Sequence, residues 1–365
     1  MAMSSSHRHD LLTLVPLSQN RSRLAAIERS SALLQRASVA PSTASAYLLA
    51  VSHFSAYCRS LPRHPHHSLP HRAASLDLDT CVSGYISLIY AGRQGANRQR
   101  AVNVVYGLYL CMPEMRGMLR RSEQLLLGWS RLQPPVSHPP LTWPLMLLVA
   151  ATMAKNGFFD CAIATLVAFD SLLRVSELVG IRVRDVSSVS DPRRGRHSSS
   201  SAIDASPPSG SSSTRVCVRL STTKTGSNQW AELYTSEVGQ LLVRWLSDRS
   251  PEHHVFRFPV STSRRSDHFR QVMRVVCDSL GLTAYHFTPH SLRHGGATHA
   301  YLHLSQSIEH VMHRGRWRSN DACRTYIQAG RAALLTQELP ARLTALAADL
   351  ALNWYPIMES LCFAG

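Results

Sequence analysis

The tightest constraint on how this chain folds is its punctuation. In "LQPPVSHPPLTWP" five prolines fall between Leu132 and Pro144. Each lacks a backbone N–H and fixes φ, so neither a helix interior nor a central strand can run through them. The segment reads as a stiff linker over 133–144, with a domain on either side. For 365 residues two domains is the expected number, and 44% hydrophobic content gives each one material for a core. A second interruption, "VSDPRRGRHSSSSAIDASPPSGSSST", is Ser-rich and apolar-poor. It cannot bury enough surface to offset its ordering entropy, which predicts a disordered insertion over 188–213 inside the second domain. Residues 1–30 read as a flexible tail.

Between these breaks the hydrophobic period distinguishes helix from strand. In 31–132, "STASAYLLAVSHFSAYC" and "LDTCVSGYISLIYAG" space apolar residues three and four apart, with Ser42 and Asp79 as candidate N-caps. This predicts a small helical domain. In 145–335, "LMLLVAATMA" and "DCAIATLVAFDSLL" read as buried helices, whereas "GIRVRDVSSV", "TRVCVRLSTT" and "QWAELYT" read as strands. Helix returns in "SDHFRQVMRVVCDSLGL", which has Phe269, Val272, Met273 and Val276 on one face and Gly281 as a C-cap candidate. The fold class expected is therefore mainly α with a small antiparallel sheet. In the tail, 336–365, Leu339, Leu343, Leu346, Leu350 and Trp354 form a helical stripe beginning near Pro340.

Charge narrows the partner. Lys and Arg total 39 against 23 acidic residues, a formal net charge of +16 that favours a polyanion such as nucleic acid. The eight cysteines lie far apart, with neither zinc-site nor disulfide-framework spacing, and read as reduced thiols of an intracellular protein. No apolar run is long enough for a membrane span. The His-rich "RHPHHSLPH" is broken by prolines and has no matching second ligand cluster, so it reads as a solvated loop, and no metal or cofactor is expected. In the first domain Arg93, Arg98, Arg100, Arg116, Arg120 and Arg121 stand with Glu114 as the one acid among them. That density suits phosphates along a duplex, or a solvated helix face.

The residues that carry chemistry are scattered through the second domain. Arg174 in "LLRVSELVG" has Glu177 three residues on, where a carboxylate can hold the guanidinium in one orientation. Lys224 stands at the "TKTGSN" tip between two predicted strands, where a hairpin turn projects its ammonium to a defined point. His290 and Arg293 in "TPHSLRHGGAT" share one side of a helical turn and can grip one anion. Trp317 precedes Tyr326 in "GRWRSNDACRTYIQAG", a segment that starts with Ser/Asx capping residues and ends at Gly330, placing Tyr326 on a short helix. Taken singly, each is an ordinary surface arginine, turn lysine or core tyrosine.

Taken in order, Arg174, Lys224, His290-x-x-Arg293, Trp317 and Tyr326 resemble the catalytic series of the tyrosine recombinase, or phage integrase, family. The resemblance covers 142–330. The preceding helical domain is similar to the family's core-binding domain in size and position only. Trp317 stands where the family more often has histidine, and an indole N–H can also donate to a phosphate oxygen. "GRWRSNDACRTYI" is similar to recombinases of eukaryotic mobile elements, which would imply a nuclear location.

The resemblance implies two domains clamped around double-stranded DNA, with a homotetramer assembled through the C-terminal helix. It implies site-specific recombination through a 3′-phosphotyrosyl intermediate, without metal or nucleotide. In that chemistry Tyr326 attacks, and Arg174 and Arg293 neutralise the phosphorane-like charge with paired N–H donors. His290 and Trp317 add donors, His290 can also take the phenol proton, and Lys224 protonates the departing 5′ oxygen. Two rival readings share these residues: a DNA-binding protein descended from a recombinase that no longer cuts, and a type IB topoisomerase-like nicking-closing enzyme.

Overall fold

The structure is a computed structural model that describes residues 30–31, 33–61, 71–92, 98–134, 138–190, 214–223 and 226–363. The chain divides into two units, residues 1–136 and 137–365. It is mostly helical with one small antiparallel sheet, the fold class its periodicity predicts.

In the first unit the described helices include α1 (Pro41–Ser60), α2 (His71–Gly92), α3 (Arg98–Cys111) and α4 (Arg120–Leu132). Phe54, Val82, Tyr85, Ile86, Val104, Val105, Leu108 and Trp129 meet in one core. Each side chain so buried contributes about 1.5–3 kcal/mol. The two predicted caps fall elsewhere. Ala40 precedes α1 with Pro41 in its first turn, so Ser42 lies inside the helix. Asp79 lies within α2, and its carboxylate accepts from the Arg121 and Ser122 N–H groups at 2.9 and 3.0 Å. It therefore caps α4 from a neighbouring helix, placing an anion at that helix's positive end.

In the second unit α5 (Trp143–Lys155) and α6 (Phe159–Asp170) are apolar nearly all round, and the fold buries them. Against them lie α8 (Ser236–Trp245), α9 (Arg265–Ser279) and α10 (Pro289–Leu302), together with α14 (Ala341–Leu352) and α15 (Trp354–Phe363). The short α7 (Val175–Leu178) follows α6. The sheet runs β1 (Val186–Ser190), β2 (Thr214–Thr223), β3 (Gly226–Leu233) in spatial order, antiparallel throughout. Val216, Val218 and Leu220 of β2, with Ala231 and Leu233 of β3, enter the core. After α10 come α11 (Ile308–Gly315), α12 (Asn320–Arg324) and α13 (Ala329–Glu338). The α9 face is buried as predicted, and Gly281 follows the C-cap Leu280 with φ +72°.

Several boundaries differ from the expectation. Leu141, inside the predicted linker, is fully buried in the second unit, and its N–H donates to the Ser291 carbonyl at 3.0 Å. The linker therefore ends in packed structure before α5 begins. Ser188–Ser190, predicted as the start of the insertion, pair with β2 as the end of β1; 191–213 lie outside the described residues, as do tail residues 1–29. The C-terminal stripe breaks at Pro340. Leu339 is buried and Leu343, Leu350 and Trp354 pack on the core of their own unit, while Leu346 is exposed. No described helix is long and apolar enough to cross a membrane.

Candidate active site

Three backbone devices set the stage. Thr288 caps α10, accepting from the His290 N–H while its own N–H donates to Ser291 Oγ at 3.1 Å, with Pro289 in the first turn. This fixes His290 and Arg293 in the first turns. The two glycines of "HGGAT" let α10 seat directly on its neighbours: a Cβ on Gly295 would stand 1.8 Å from the Leu141 carbonyl oxygen, and one on Gly296 2.2 Å from that of Phe169. At the end of α6, Leu172 takes a left-handed φ of 52°, a strained choice for a side chain of this size. Its carbonyl accepts from the guanidiniums of both Arg293 and Arg316.

Tyr326 stands just past α12, in the turn before α13, its N–H bonded to the Cys323 carbonyl at 2.9 Å. The short helix predicted for it ends at Arg324, and Gly330 lies inside α13 instead of closing a helix. Around the phenol, His294 stacks at 4.6 Å between centroids and 24°, Trp317 lies tilted at 4.7 Å and 38°, and His290 meets it edge-on at 5.5 Å. The Tyr326 hydroxyl and His290 Nε2 are 3.5 Å apart, at the outer edge of hydrogen-bond reach.

The cations are deeply placed. Arg293 is fully buried, its two Nη groups donating to the carbonyls of Leu172 and Gly315 and its guanidinium carbon lying 4.5 Å from the Trp317 ring centroid. Its Nε and the Trp317 Nε1 are buried donors with no hydrogen-bond partner among the described residues. Gly315 is required beside that indole, since a Cβ would fall 1.8 Å from the ring. Arg174 is the N-cap of α7, and Glu177 bridges it at 2.6 Å while accepting from its backbone N–H at 3.0 Å. The predicted pairing forms, by capping geometry instead of along a helix face.

Sequence reasoning missed the second partner of Glu177. Arg316 binds the same carboxylate at 2.9 Å. Burial alone would raise Glu177, but Arg316 and Arg174 outweigh it and hold the carboxyl below its usual range. A second buried pair, Arg314 and Asp170 at 3.3 Å, ties α11 to the end of α6, with Tyr234 stacked on the Arg314 guanidinium at 3.9 Å. Asp170 also accepts from the N–H groups of Tyr234 and Thr235. Four guanidiniums thus face two carboxylates among the described residues, leaving Arg293 with carbonyls alone. Such an excess of positive charge in a low-dielectric site favours an anion.

His294, also missed, was readable as the residue four after His290 on one helix face. Both imidazoles are pushed down to about 4, first by burial; His290 is lowered further by His138, Arg293 and Arg174, and His294 by His290. Both are neutral at pH 7, which leaves His290 able to accept a proton.

Lys224 lies outside the described residues. The strands flanking it form the predicted antiparallel pair, Thr223 opposite Gly226. In the first unit Arg93 also lies outside the described residues. Arg98 is half-buried and donates to Ser130 Oγ at 3.1 Å, whereas Arg100, Arg116, Arg120 and Arg121 are exposed. No group of three His, Cys, Asp or Glu side chains among the described residues is arranged to hold a metal ion.

No protein-family model matches the sequence, and no curated protein does. Among solved structures the chain is similar to a XerA recombinase, at 14% identity and a TM-score of 0.35 over 85% of this chain and 99% of that one. It is also similar to a lambda integrase dimer bound to a COC' core site, at 15% identity and a TM-score of 0.48 over 87% of this chain and 82% of that one.

Proposed function

We propose that this chain is a tyrosine-type site-specific DNA recombinase that cleaves and rejoins strands through a 3′-phosphotyrosyl intermediate. The observation that supports it most is the convergence on one phenol of residues that are far apart in sequence. Arg293, His290 and Trp317 surround Tyr326, and Arg174 is held by a carboxylate shared with Arg316, beside the Leu172 turn.

In this reading the anion that the guanidiniums favour is a phosphodiester of DNA. The Tyr326 oxygen attacks phosphorus, the 5′ oxygen departs, and the proton of the phenol passes to His290. Burial is the first cause of the low His290 basicity; a phosphodiester beside it offsets the smaller contributions of Arg293 and Arg174 and so raises that basicity. Arg174, the Arg293 Nε–H and the Trp317 Nε1–H are the donors for the non-bridging oxygens, and Lys224 is the acid for the leaving oxygen. The exposed arginines of the first unit hold the flanking phosphates.

Homotetramer assembly on double-stranded DNA belongs to the same proposal. The C-terminal stripe is engaged within its own unit here, so a contact in trans through it requires its release. Membership of the eukaryotic mobile-element type, and with it a nuclear location, is part of the proposal and is supported by the Ser-rich insertion together with "GRWRSNDACRTYI".

One observation favours a non-cutting DNA-binding protein: both Arg293 Nη groups are already taken by carbonyls. Incubation with DNA, denaturation and peptide mapping decides between them. A nucleotide-bearing peptide containing Tyr326 supports the recombinase, and tight binding with no adduct supports the binding protein. Relaxation of supercoiled plasmids that lack a target site would instead indicate the topoisomerase-like reading.

A further inference from the structure

Among the described residues the most exposed aromatic side chain lies outside every core cluster. Trp230 is 56% exposed on the outer face of β3, where its neighbour Ala231 points inward. The other tryptophans are buried or half-buried. Leaving an indole in water forgoes the burial that usually justifies so large a side chain. Its surroundings are not those of a protein-docking patch. Across the sheet it pairs with Arg219, and it forms one wall of an open cleft of about 350 Å³ shared with Gln229, His313, Arg316, Trp317 and Arg318. The cleft is therefore an aromatic face among cations, and Trp317, whose ring lies tilted against Tyr326, lines it as well.

We propose that this cleft is a nucleobase subsite, in which Trp230 stacks on an unpaired base next to the phosphate attacked by Tyr326. The inference rests on the reading that DNA is the substrate, and it adds a contact that none of the phosphate-directed residues makes. A base offers a flat π-face to the indole, while its own phosphate carries the charge that Arg316, Arg318 and His313 complement. A protein partner would call for a larger, continuous apolar patch, and a free phosphate would gain nothing from the indole. A base adjoining a cut is the one that loses its stacking partner when strands part, so the subsite would hold the strand end in place during exchange.

The test uses duplexes identical except for one unpaired or one paired 2-aminopurine, a base analogue whose fluorescence falls on stacking, with Tyr326→Phe as the parent protein so that no cleavage occurs. The parent should prefer the unpaired probe and quench it. Trp230→Ala should lose the quench and about 5- to 150-fold of affinity for the unpaired probe, while Trp230→Phe keeps most of both. The salt dependence should not change, because every phosphate partner is kept. An unchanged quench in Trp230→Ala, no preference in the parent, or a fall in affinity shared by both probes with a reduced salt slope would each overturn the subsite. A wild-type protein that forms no Tyr326 adduct, yet shows the Trp230-dependent preference, would remove the recombinase reading and leave the subsite standing.

Discussion

Arginine is abundant in both units and is used in opposite ways. In the first unit Arg100, Arg116, Arg120 and Arg121 are exposed, Arg116 in a turn and the others on helices, with Arg100 lying over the ring of the core residue Tyr85 at 5.8 Å. In the second, Arg293, Arg314 and Arg316 are enclosed by carbonyls, carboxylates and rings, Arg293 beside Tyr326, Arg314 beneath Tyr234 and Arg316 on Glu177. Exposed guanidiniums are hydrated and interchangeable, and serve a polyanion wherever it lies. Enclosed ones have been stripped of water and aimed, so each has a geometry to lose. Net charge points to the partner, and burial points to the reaction centre.

The largest effect is expected where aimed charges share one anchor. Glu177→Ala leaves Arg174 and Arg316 without their carboxylate and should cost about 3–5 kcal/mol in denaturant unfolding. Arg116→Ala should stay within about 0.5 kcal/mol. The pH dependence follows from the sign. Glu177 is depressed in the folded state, so its contribution is full above the unfolded value of about 4.3 and fades as pH falls through the folded one. The gap between wild type and Glu177→Ala should narrow in acid; a gap that is constant with pH would mean the carboxylate acts by packing alone.

Acid should also weaken the second unit through its imidazoles. His290, His294 and His299 are each pushed down to about 4, with burial first among the causes. Neutral in the fold, they bind protons more readily when unfolded, so stability is full above about pH 6.5 and declines toward pH 4. NMR titration of their ring protons checks this, and midpoints near 6.5 would contradict the buried site.

A smaller loss, in rate alone, should follow from His294→Ala. Its ring stacks on Tyr326 and lies 3.1 Å from Gln328 Nε2, so removing it frees the phenol to move without touching a cation. Strand cleavage should fall about 100-fold with DNA affinity retained, and His294→Phe should recover part of it. The smallest effect belongs to the exposed set. Arg100→Ala with Arg116→Ala should lower affinity equally for all sequences and reduce the salt slope by about 0.9 for each phosphate no longer neutralised. An unchanged slope would assign them to a solvated face.

Much of this contrast was legible in the chain. Helical and alternating periods located α5, α6, α9, β2 and β3, because those elements bury the faces that their sequences pattern. The spacing of Arg174, His290, Arg293, Trp317 and Tyr326 was legible too, since four of these lie in two short local segments. What escaped reading depends on tertiary approach. Asp79 caps a helix some forty residues on, Arg316 reaches Glu177 across the site, and the Leu172 carbonyl turns inward through a left-handed φ. Local sequence carries no sign of such contacts. The "GG" of "HGGAT" and the i,i+4 pair His290 and His294 did carry one, in the form of close helix contact and a shared face.

The central claim is that Tyr326 does covalent chemistry that the cations around it cannot. Tyr326→Phe removes one hydroxyl and keeps the ring that His294 and Trp317 pack against. Wild type, incubated with a duplex carrying its site and then denatured, should leave a protein–DNA adduct. Tyr326→Phe should leave none while shifting the same duplex under native conditions with unchanged affinity. An adduct that persists in Tyr326→Phe would contradict the account.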